Sequence, residues 1–243
     1  MKLIQIKSVK LFTTFFLFSS LFYAQEIVKT FHQDSITAEN LLYLKSEFGN
    51  FKNIPKEFEE QVLIALSYFP ELKNINIKFR LKNRLTPLAT RPNLISILKN
   101  AKKRTYIITI STKSTSYLDV IIFKNLNYNA QIGVLGHELS HVSNFINNGF
   151  GKMFHVISIE IFSKKRVNDF EYNTDLNCIN HGLGYQLLDW SINVRKNLGS
   201  VNWLGAVNLT ANEKSERYMN PSTIIEILNN HPLYQESQKS TSN

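Results

Sequence analysis

The segment from Gly136 to His141, with the sequence Gly-His-Glu-Leu-Ser-His, constrains the fold of this chain more than any other. Its two histidines are four residues apart, so on a helix their imidazoles lie one turn apart on the same face, beside the carboxylate of Glu138. This arrangement is typical of a zinc site that carries its own general base. We therefore expect His137 and His141 to bind zinc and Glu138 to act as the base.

The surrounding residues have the pattern of a helix. Apolar residues recur at steps of three and four, as on the core face of a helix: Ile132, Leu135, Leu139 and Val142. Asn127 or Asn129 could cap the start, and the run Asn147-Asn148-Gly149 favours a stop. The motif is therefore predicted to lie in the middle of a helix from Asn127 to Asn147.

A catalytic zinc site needs a third protein ligand besides two histidines. Glu171 and Asp175 lie downstream and four residues apart, so they face the same way on a helix. We expect Glu171 to bind the metal and Asp175 to accept a hydrogen bond from His137, which fixes the tautomer of that imidazole. Three other residues stay open as rivals to Glu171: His155, His181 and Glu160.

The combination of His137, Glu138, His141, Glu171 and Asp175 resembles the gluzincin metallopeptidases. The amino-acid sequence of the two motifs is most similar to the CAAX-prenyl-protease type of gluzincin, and the resemblance covers about 105–185. The resemblance implies an α+β, zincin-like fold, in which a small mixed sheet packs on the active-site helix and an edge strand holds the peptide. The segment from Tyr106 to Ser111 occupies the place of that edge strand. The chain departs from those proteases in lacking their several membrane-spanning helices.

The resemblance and the residues together predict a zinc-dependent peptidase with one Zn²⁺ per chain and a peptide or protein as substrate. A zinc-activated water would attack the peptide carbonyl while Glu138 transfers its proton to the leaving amine. The oxyanion needs a further donor, and the candidates are His181, Tyr185, Tyr218 and His231. We favour His231, because His231-Pro232 echoes a His-Pro pair near the end of those proteases.

Two other functions remain open at this stage. One is a non-peptidase zinc amidohydrolase of the deformylase kind, which usually takes a cysteine ligand upstream of the histidine motif, whereas Cys178 lies downstream. The other is a catalytically inactive zinc-binding or structural protein. Retention of Glu138 favours an enzyme over the inactive alternative.

The amino terminus has the pattern of an export signal. Lys2, Lys7 and Lys10 precede an apolar stretch from Leu11 to Ala24 that is short for a membrane span. We expect a signal peptide at 1–24, one metallopeptidase-like domain at 25–234 and a disordered tail at 235–243. The product would be periplasmic or secreted, with an uncleaved amino-terminal anchor as the alternative.

The charge of the chain limits the kinds of partner it can bind, and its cysteine content limits the disulfides it can form. Removal of Lys2, Lys7 and Lys10 lowers the net charge from +9 to +6, which we take to be scattered. The basic triads at 102–104 and 164–166 are not interleaved with aromatic residues, so we expect no nucleic-acid partner. Cys178 is the only cysteine, which excludes an intramolecular disulfide, and we expect it to be buried.

The remaining pattern predicts the order of elements in one α+β domain. We expect a helix at 55–72, a strand at 76–81, a loop at 85–92 and a β-hairpin of 105–112 with 117–123. Downstream we expect the second metal-bearing helix at 171–188, broken near Gly182-Leu183-Gly184, and a short helix at 221–228.

Overall fold

The computed structural model describes residues 26–33, 36–115, 117–147, 164–200 and 216–235. The predicted signal peptide at 1–24 and the proposed ligands His155 and Glu160 lie outside the described residues, as does all of the predicted tail except Gln235. Within the described part of the chain, no helix has the length and apolar character needed to cross a bilayer.

Four short strands form a mixed sheet, which confirms the predicted α+β class. They are β1 (Lys52–Asn53), β2 (Asn76–Leu81), β3 (Leu88–Pro92) and β4 (Thr105–Ile110), in the spatial order β1-β2-β4-β3. β2 is parallel to both β1 and β4, whereas β3 runs antiparallel to β4 with Thr90 opposite Ile108. β3 is therefore the edge strand at one side of the sheet.

The predicted hairpin is wrong. Residues 117–123 form no strand but contribute to the 3₁₀ turns Asp119–Ile121 and Phe123–Asn125. The antiparallel partner of β4 is β3, which lies in the predicted loop at 85–92. Two prolines obscured this strand, yet Pro92 is tolerated because it stands at the end of an edge strand.

The segment predicted as the edge strand is also corrected. β4 lies between β2 and β3, and all its residues from Tyr106 to Ile110 are buried. An almost continuous apolar run is the pattern of a strand that is covered on both faces. The edge strand beside the motif helix is β3, whose Thr90 hydroxyl donates a long hydrogen bond to the backbone oxygen of Glu138 (3.4 Å).

Helices pack on the sheet and around the motif. They are α1 (Ala38–Phe48), α2 (Glu59–Ser67), α3 (Tyr128–Ile146), α4 (Lys164–Asn180), α5 (Gly184–Ser200) and α6 (Pro221–Asn230). The bounds of α3 confirm the predicted helix, and its cap is Asn127, whose side chain accepts a hydrogen bond from the Ala130 N–H (2.7 Å). The predicted break in the second helix is also confirmed, because α4 and α5 are separated at Gly182, where φ is +92°.

The structure agrees to different extents with three other predicted elements, at 55–72, 76–81 and 221–228. The first is helical only in part, since α2 is flanked by the 3₁₀ turns Lys56–Phe58 and Pro70–Leu72. The second is the strand β2 with the predicted bounds, and the third is a helix that extends two residues further, to Asn230.

Two glycines let α3 approach its neighbours closely. A Cβ at Gly133 would lie 2.1 Å from the backbone oxygen of Gln186 on α5. A Cβ at Gly136 would lie 2.8 Å from Cys178 Sγ on α4 and 2.7 Å from Leu183 Cδ1. A side chain at Gly133 would meet backbone, so the helix α5 would have to move as a whole. A side chain at Gly136 would meet only side-chain atoms, which can shift without moving a helix.

We expect Gly133→Ala to lower the free energy of unfolding by about 1–3 kcal/mol, because overpacking against the α5 backbone outweighs the better helix propensity of alanine. Gly199→Ala is the matched control on α5, since a Cβ there meets nothing within 4 Å. It should stabilise the protein by up to about 1 kcal/mol. Denaturant unfolding measures both changes, and equal effects of the two substitutions would contradict the close crossing.

Candidate metal centre

Helices α3 and α4 bring three of the predicted ligands together. Nε2 of His137 and Nε2 of His141 lie 3.2 and 3.3 Å from Oε2 of Glu171. One ligand atom from each residue lies within 4.8 Å of the other two, and all three residues are buried. This cluster could hold a metal ion.

Glu171 has the surroundings expected of a ligand rather than of a structural carboxylate. Its Oε2 atom is inaccessible to solvent and makes no hydrogen bond of good geometry, although two imidazole nitrogens are close. A buried oxygen without a hydrogen bond is destabilising by about 1–3 kcal/mol. A cation between the three ligand atoms would satisfy it, and the residues therefore fit a metal ion.

The imidazoles are oriented by hydrogen bonds on their far sides. Nδ1 of His137 lies 2.7 Å from Oδ1 of Asp175, whose Oδ2 accepts the Met219 N–H at 2.8 Å. Nδ1 of His141 lies 3.3 Å from the Thr174 hydroxyl, which itself donates to the Phe170 backbone oxygen at 2.9 Å. Both Nδ1 atoms therefore have an acceptor for a proton, which leaves both Nε2 lone pairs for a metal.

Asp175 thus lies against His137 as the sequence predicts, whereas the contribution of Thr174 was missed. The signal was present in the sequence, because Thr174 is three residues after Glu171 and so lies on the neighbouring stripe of the same helix. A threonine hydroxyl is a weak indicator by itself, since most threonines on helices bond the preceding turn, as Thr174 also does.

Aromatic rings enclose the imidazoles. His141 stacks on Phe170 with ring centroids 5.1 Å apart. The rings of Trp190 and Tyr218 lie 5.3 and 5.6 Å from that of His137. These rings exclude water from the cluster, so charges within it interact strongly.

The charges in the cluster shift one another's protonation. Burial lowers the pKa of His137, but the hydrogen bond to Asp175 and the nearby carboxylate of Glu171 outweigh this effect, so the pKa is raised well above its usual value. Burial raises the pKa of Glu171, but the close approach of the His137 and His141 imidazoles outweighs this effect and lowers the pKa. The carboxylates and the imidazole of His137 therefore stabilise each other's charged forms.

Glu138 lies on the same helix but makes none of these contacts. It is 6% exposed, and its Oε2 atom has no hydrogen-bond partner. Its charge, together with that of Glu171, contributes to raising the pKa of Tyr218, although burial is the largest cause.

Of the four candidates for the oxyanion donor, the structure brings only Tyr218 to the cluster. Nε2 of His231 bonds Oδ1 of Asn180 (3.0 Å) at the end of α4. Asn180 is nine residues beyond Glu171, which is about 13 Å along a helix. The geometry therefore favours Tyr218 over His231 as the candidate donor.

The other two candidates are held by other contacts. His181 stacks on Phe69 with ring centroids 4.2 Å apart, and its Nε2 lies 3.0 Å from Oε1 of Glu71. It is not part of the metal cluster. Tyr185 packs edge-on against Tyr234, with ring centroids 5.4 Å apart.

Comparisons with protein-family models, curated proteins and solved structures found no match for this chain.

We expect metal affinity, titrated with zinc as the probe, to fall about tenfold for each unit of pH below the raised pKa of His137. The reason is that the metal requires the neutral imidazole, so each binding event displaces a proton. Since this pKa lies above the usual value of about 6.5, the dependence should extend into the neutral range.

Asp175→Asn tests the cause of this dependence. It removes the larger of the two carboxylate interactions that raise the pKa of His137, so the affinity should level off at a lower pH than in the parent. Competition titrations with a chromogenic chelator at several pH values measure both curves. An affinity that does not change with pH in either protein would contradict this account of the cluster.

Proposed function

We propose that this protein is an exported zinc peptidase of the gluzincin type. The observation that carries the proposal is the buried cluster of His137, His141 and Glu171, whose ligand atoms lie within 4.8 Å of one another. The spacing of its residues along the chain and the placement of Asp175 against His137 support the same conclusion.

Zinc suits the donor set better than the other common metals. Two imidazole nitrogens and one carboxylate oxygen are a catalytic zinc set, which leaves a coordination position open, whereas Mg²⁺ and Ca²⁺ prefer oxygen ligands alone. When bound, zinc would supply a Lewis acid that polarises the peptide carbonyl and makes water acidic. The residues around it supply the proton transfers and the positioning.

The unpaired Oε2 of Glu138 supports its role as general base. A buried carboxylate oxygen without a partner is destabilising, so an ordinary packing role does not account for it. In the proposed reaction Glu138 removes a proton from the attacking water and delivers it to the leaving amine. The net change is cleavage of the C–N bond and addition of water across it.

Tyr218 is suited to stabilise the oxyanion. Its ring contacts His137, and the raised pKa keeps its hydroxyl protonated at neutral pH. A neutral O–H donates a hydrogen bond without introducing a further charge into the buried site. In the proposed reaction this hydroxyl donates to the oxygen that gains negative charge.

β3 is the strand that could hold a substrate. Among the described residues it has β4 on one side and no strand on the other. The Thr90 hydroxyl ties it to the helix at Glu138. An extended peptide added to this edge would form main-chain hydrogen bonds and pass beside the base. This mode of binding favours peptides over compact folded substrates.

The first experiment is metal content by mass spectrometry, with peptide hydrolysis measured on the same samples. We expect one zinc per chain in the parent and in Glu138→Gln, but a sharp loss in Glu171→Ala and Glu171→Gln. Hydrolysis should fall by about 10² to 10⁴ in Glu138→Gln, since that is the usual contribution of a general base. Zinc without hydrolysis in the parent would favour the inactive zinc-binding alternative, and deformylation without peptide cleavage would favour the amidohydrolase.

A second experiment distinguishes Tyr218 from His231. Tyr218→Phe should lower kcat by about 10² to 10³ with KM and zinc content little changed, because the hydroxyl acts on the transition state. His231→Ala serves as the control and should leave kcat within about twofold, since it replaces a half-buried side chain that contacts Asn180 rather than the cluster. The opposite ranking would restore His231 as the donor.

A further inference from the structure

The loop that follows the edge strand has a fixed conformation. At the base of the 93–105 loop, the Asn93 N–H donates to the Thr105 backbone oxygen (2.8 Å) and the Thr105 N–H to Ser96 Oγ (3.0 Å). Arg104 is 1% exposed, and its Nε donates to the backbone oxygens of Ile97 and Lys99 at 3.0 and 2.9 Å. The buried guanidinium therefore holds the chain around it in place.

This ordered loop presents three large aliphatic side chains to solvent. Leu94, Ile95 and Leu98 are 69%, 92% and 81% exposed. Single exposed apolar residues are common on protein surfaces, but a cluster of them marks an interaction site. Since hydrogen bonds hold the loop in shape, it does not rearrange freely to bury these side chains.

The same loop carries only positive charge. Lys99, Lys102 and Lys103 are exposed, and none of them forms an ion pair with another described residue. From Leu72 to Leu118 the sequence has eleven lysines and arginines and no aspartate or glutamate. The positive charge is therefore concentrated in this part of the chain rather than scattered as the composition suggested.

A cleft of about 480 Å³ lies beside Leu98, one of these three aliphatic side chains. Its lining includes Leu98, Lys99, Lys102 and the buried Arg104, whose Nη1 atom has no hydrogen-bond partner. A cationic cleft next to exposed aliphatic side chains matches a molecule that has an anionic head and an apolar body.

We propose that the 93–105 loop binds peripherally to the surface of an anionic phospholipid membrane. Leu94, Ile95 and Leu98 enter the boundary of the acyl chains, and the three lysines contact headgroup phosphates. The three exposed lysines favour a membrane over a protein as the partner. Lysines are depleted at protein interfaces, whereas a membrane supplies many anions around an apolar interior. Binding of this kind does not depend on the proposed hydrolysis.

The loop begins immediately after β3, so membrane binding would hold the candidate peptide-binding strand close to the lipid surface. Thr90, which contacts the motif helix, is four residues from Leu94, or about 13 Å along an extended chain. Peptide segments that emerge from the membrane surface would then reach the edge strand.

Vesicle flotation tests the proposal with the chain from Gln25 onward, which retains every described residue. We expect the protein to float with vesicles of phosphatidylcholine containing about one-third phosphatidylglycerol, not with phosphatidylcholine alone, and less at high salt. The triple substitution Leu94→Asn, Ile95→Asn and Leu98→Asn should weaken binding at least about tenfold. Each of Lys99→Gln, Lys102→Gln and Lys103→Gln should weaken it about fivefold.

Matched variants separate binding from folding and from catalysis. Leu42→Asn with Tyr43→Asn replaces side chains of similar exposure on α1 and should leave binding unchanged. If the triple variant does not fold, the single substitution Ile95→Asn still tests the proposal. Thermal melting checks that each protein is folded. Glu138→Gln should float as the parent does, so that loss of hydrolysis and loss of membrane binding are separate results.

Three outcomes would overturn the proposal. The first is a parent that floats with neither kind of vesicle or equally with both. The second is a triple variant that folds and still floats as the parent does. The third is self-association of the parent that the triple substitution abolishes, without flotation, since the loop would then be a contact between copies of this chain.

Discussion

The close packing of α3 against α4 and α5 is the constraint on which the rest of the structure depends. The carboxylate of Glu171 reaches the two imidazoles of α3 only because the helix axes are near one another. Gly133 and Gly136 make this possible, since a side chain at either position would meet α5 or α4. The same face of α3 therefore carries two kinds of residue. The glycines let α4 and α5 approach closely, and the histidines form the cluster together with Glu171 from α4.

Bringing these groups together buries charge in the core. His137, Glu138, Glu171 and Asp175 are all less than a tenth exposed, and isolated ions at such depth are strongly disfavoured. Asp175 is stabilised by His137 and by the Met219 N–H, so its charge is compensated within the protein. Glu171 and Glu138 each retain an oxygen without a hydrogen bond, and these two oxygens distinguish the centre from an ordinary buried ion-pair network.

Local patterns in the sequence predicted the helices and the cluster because their information lies within one or two turns. The spacing of His137, His141, Glu171 and Asp175 determines which of them share a helix face, and the cap at Asn127 is equally local. The sheet depends instead on pairing between distant segments. Nothing in Leu88–Pro92 itself shows that it pairs with β4, and Pro92, with Pro87 just before the strand, favours a loop.

The choice among the candidate oxyanion donors also depends on contacts between distant segments. His231 was favoured because of a dipeptide, yet the chain after α6 places its side chain beside Asn180 at the end of α4. Tyr218 is brought to His137 by the segment before α6, which is more than seventy residues from the motif. The concentration of basic residues between Leu72 and Leu118, by contrast, was readable in the sequence and was missed because the charge was considered only as a total.

The only cysteine of the chain lies where α4 packs against α3, next to Gly136. Cys178 is fully buried on α4, and burial raises the pKa of its thiol well above the usual value. In the folded protein the thiol is therefore both inaccessible and uncharged, so it reacts with a labelling reagent only when α4 separates from α3. The rate of labelling would then report how often this pair of helices opens, and the wild-type chain contains its own probe of that motion.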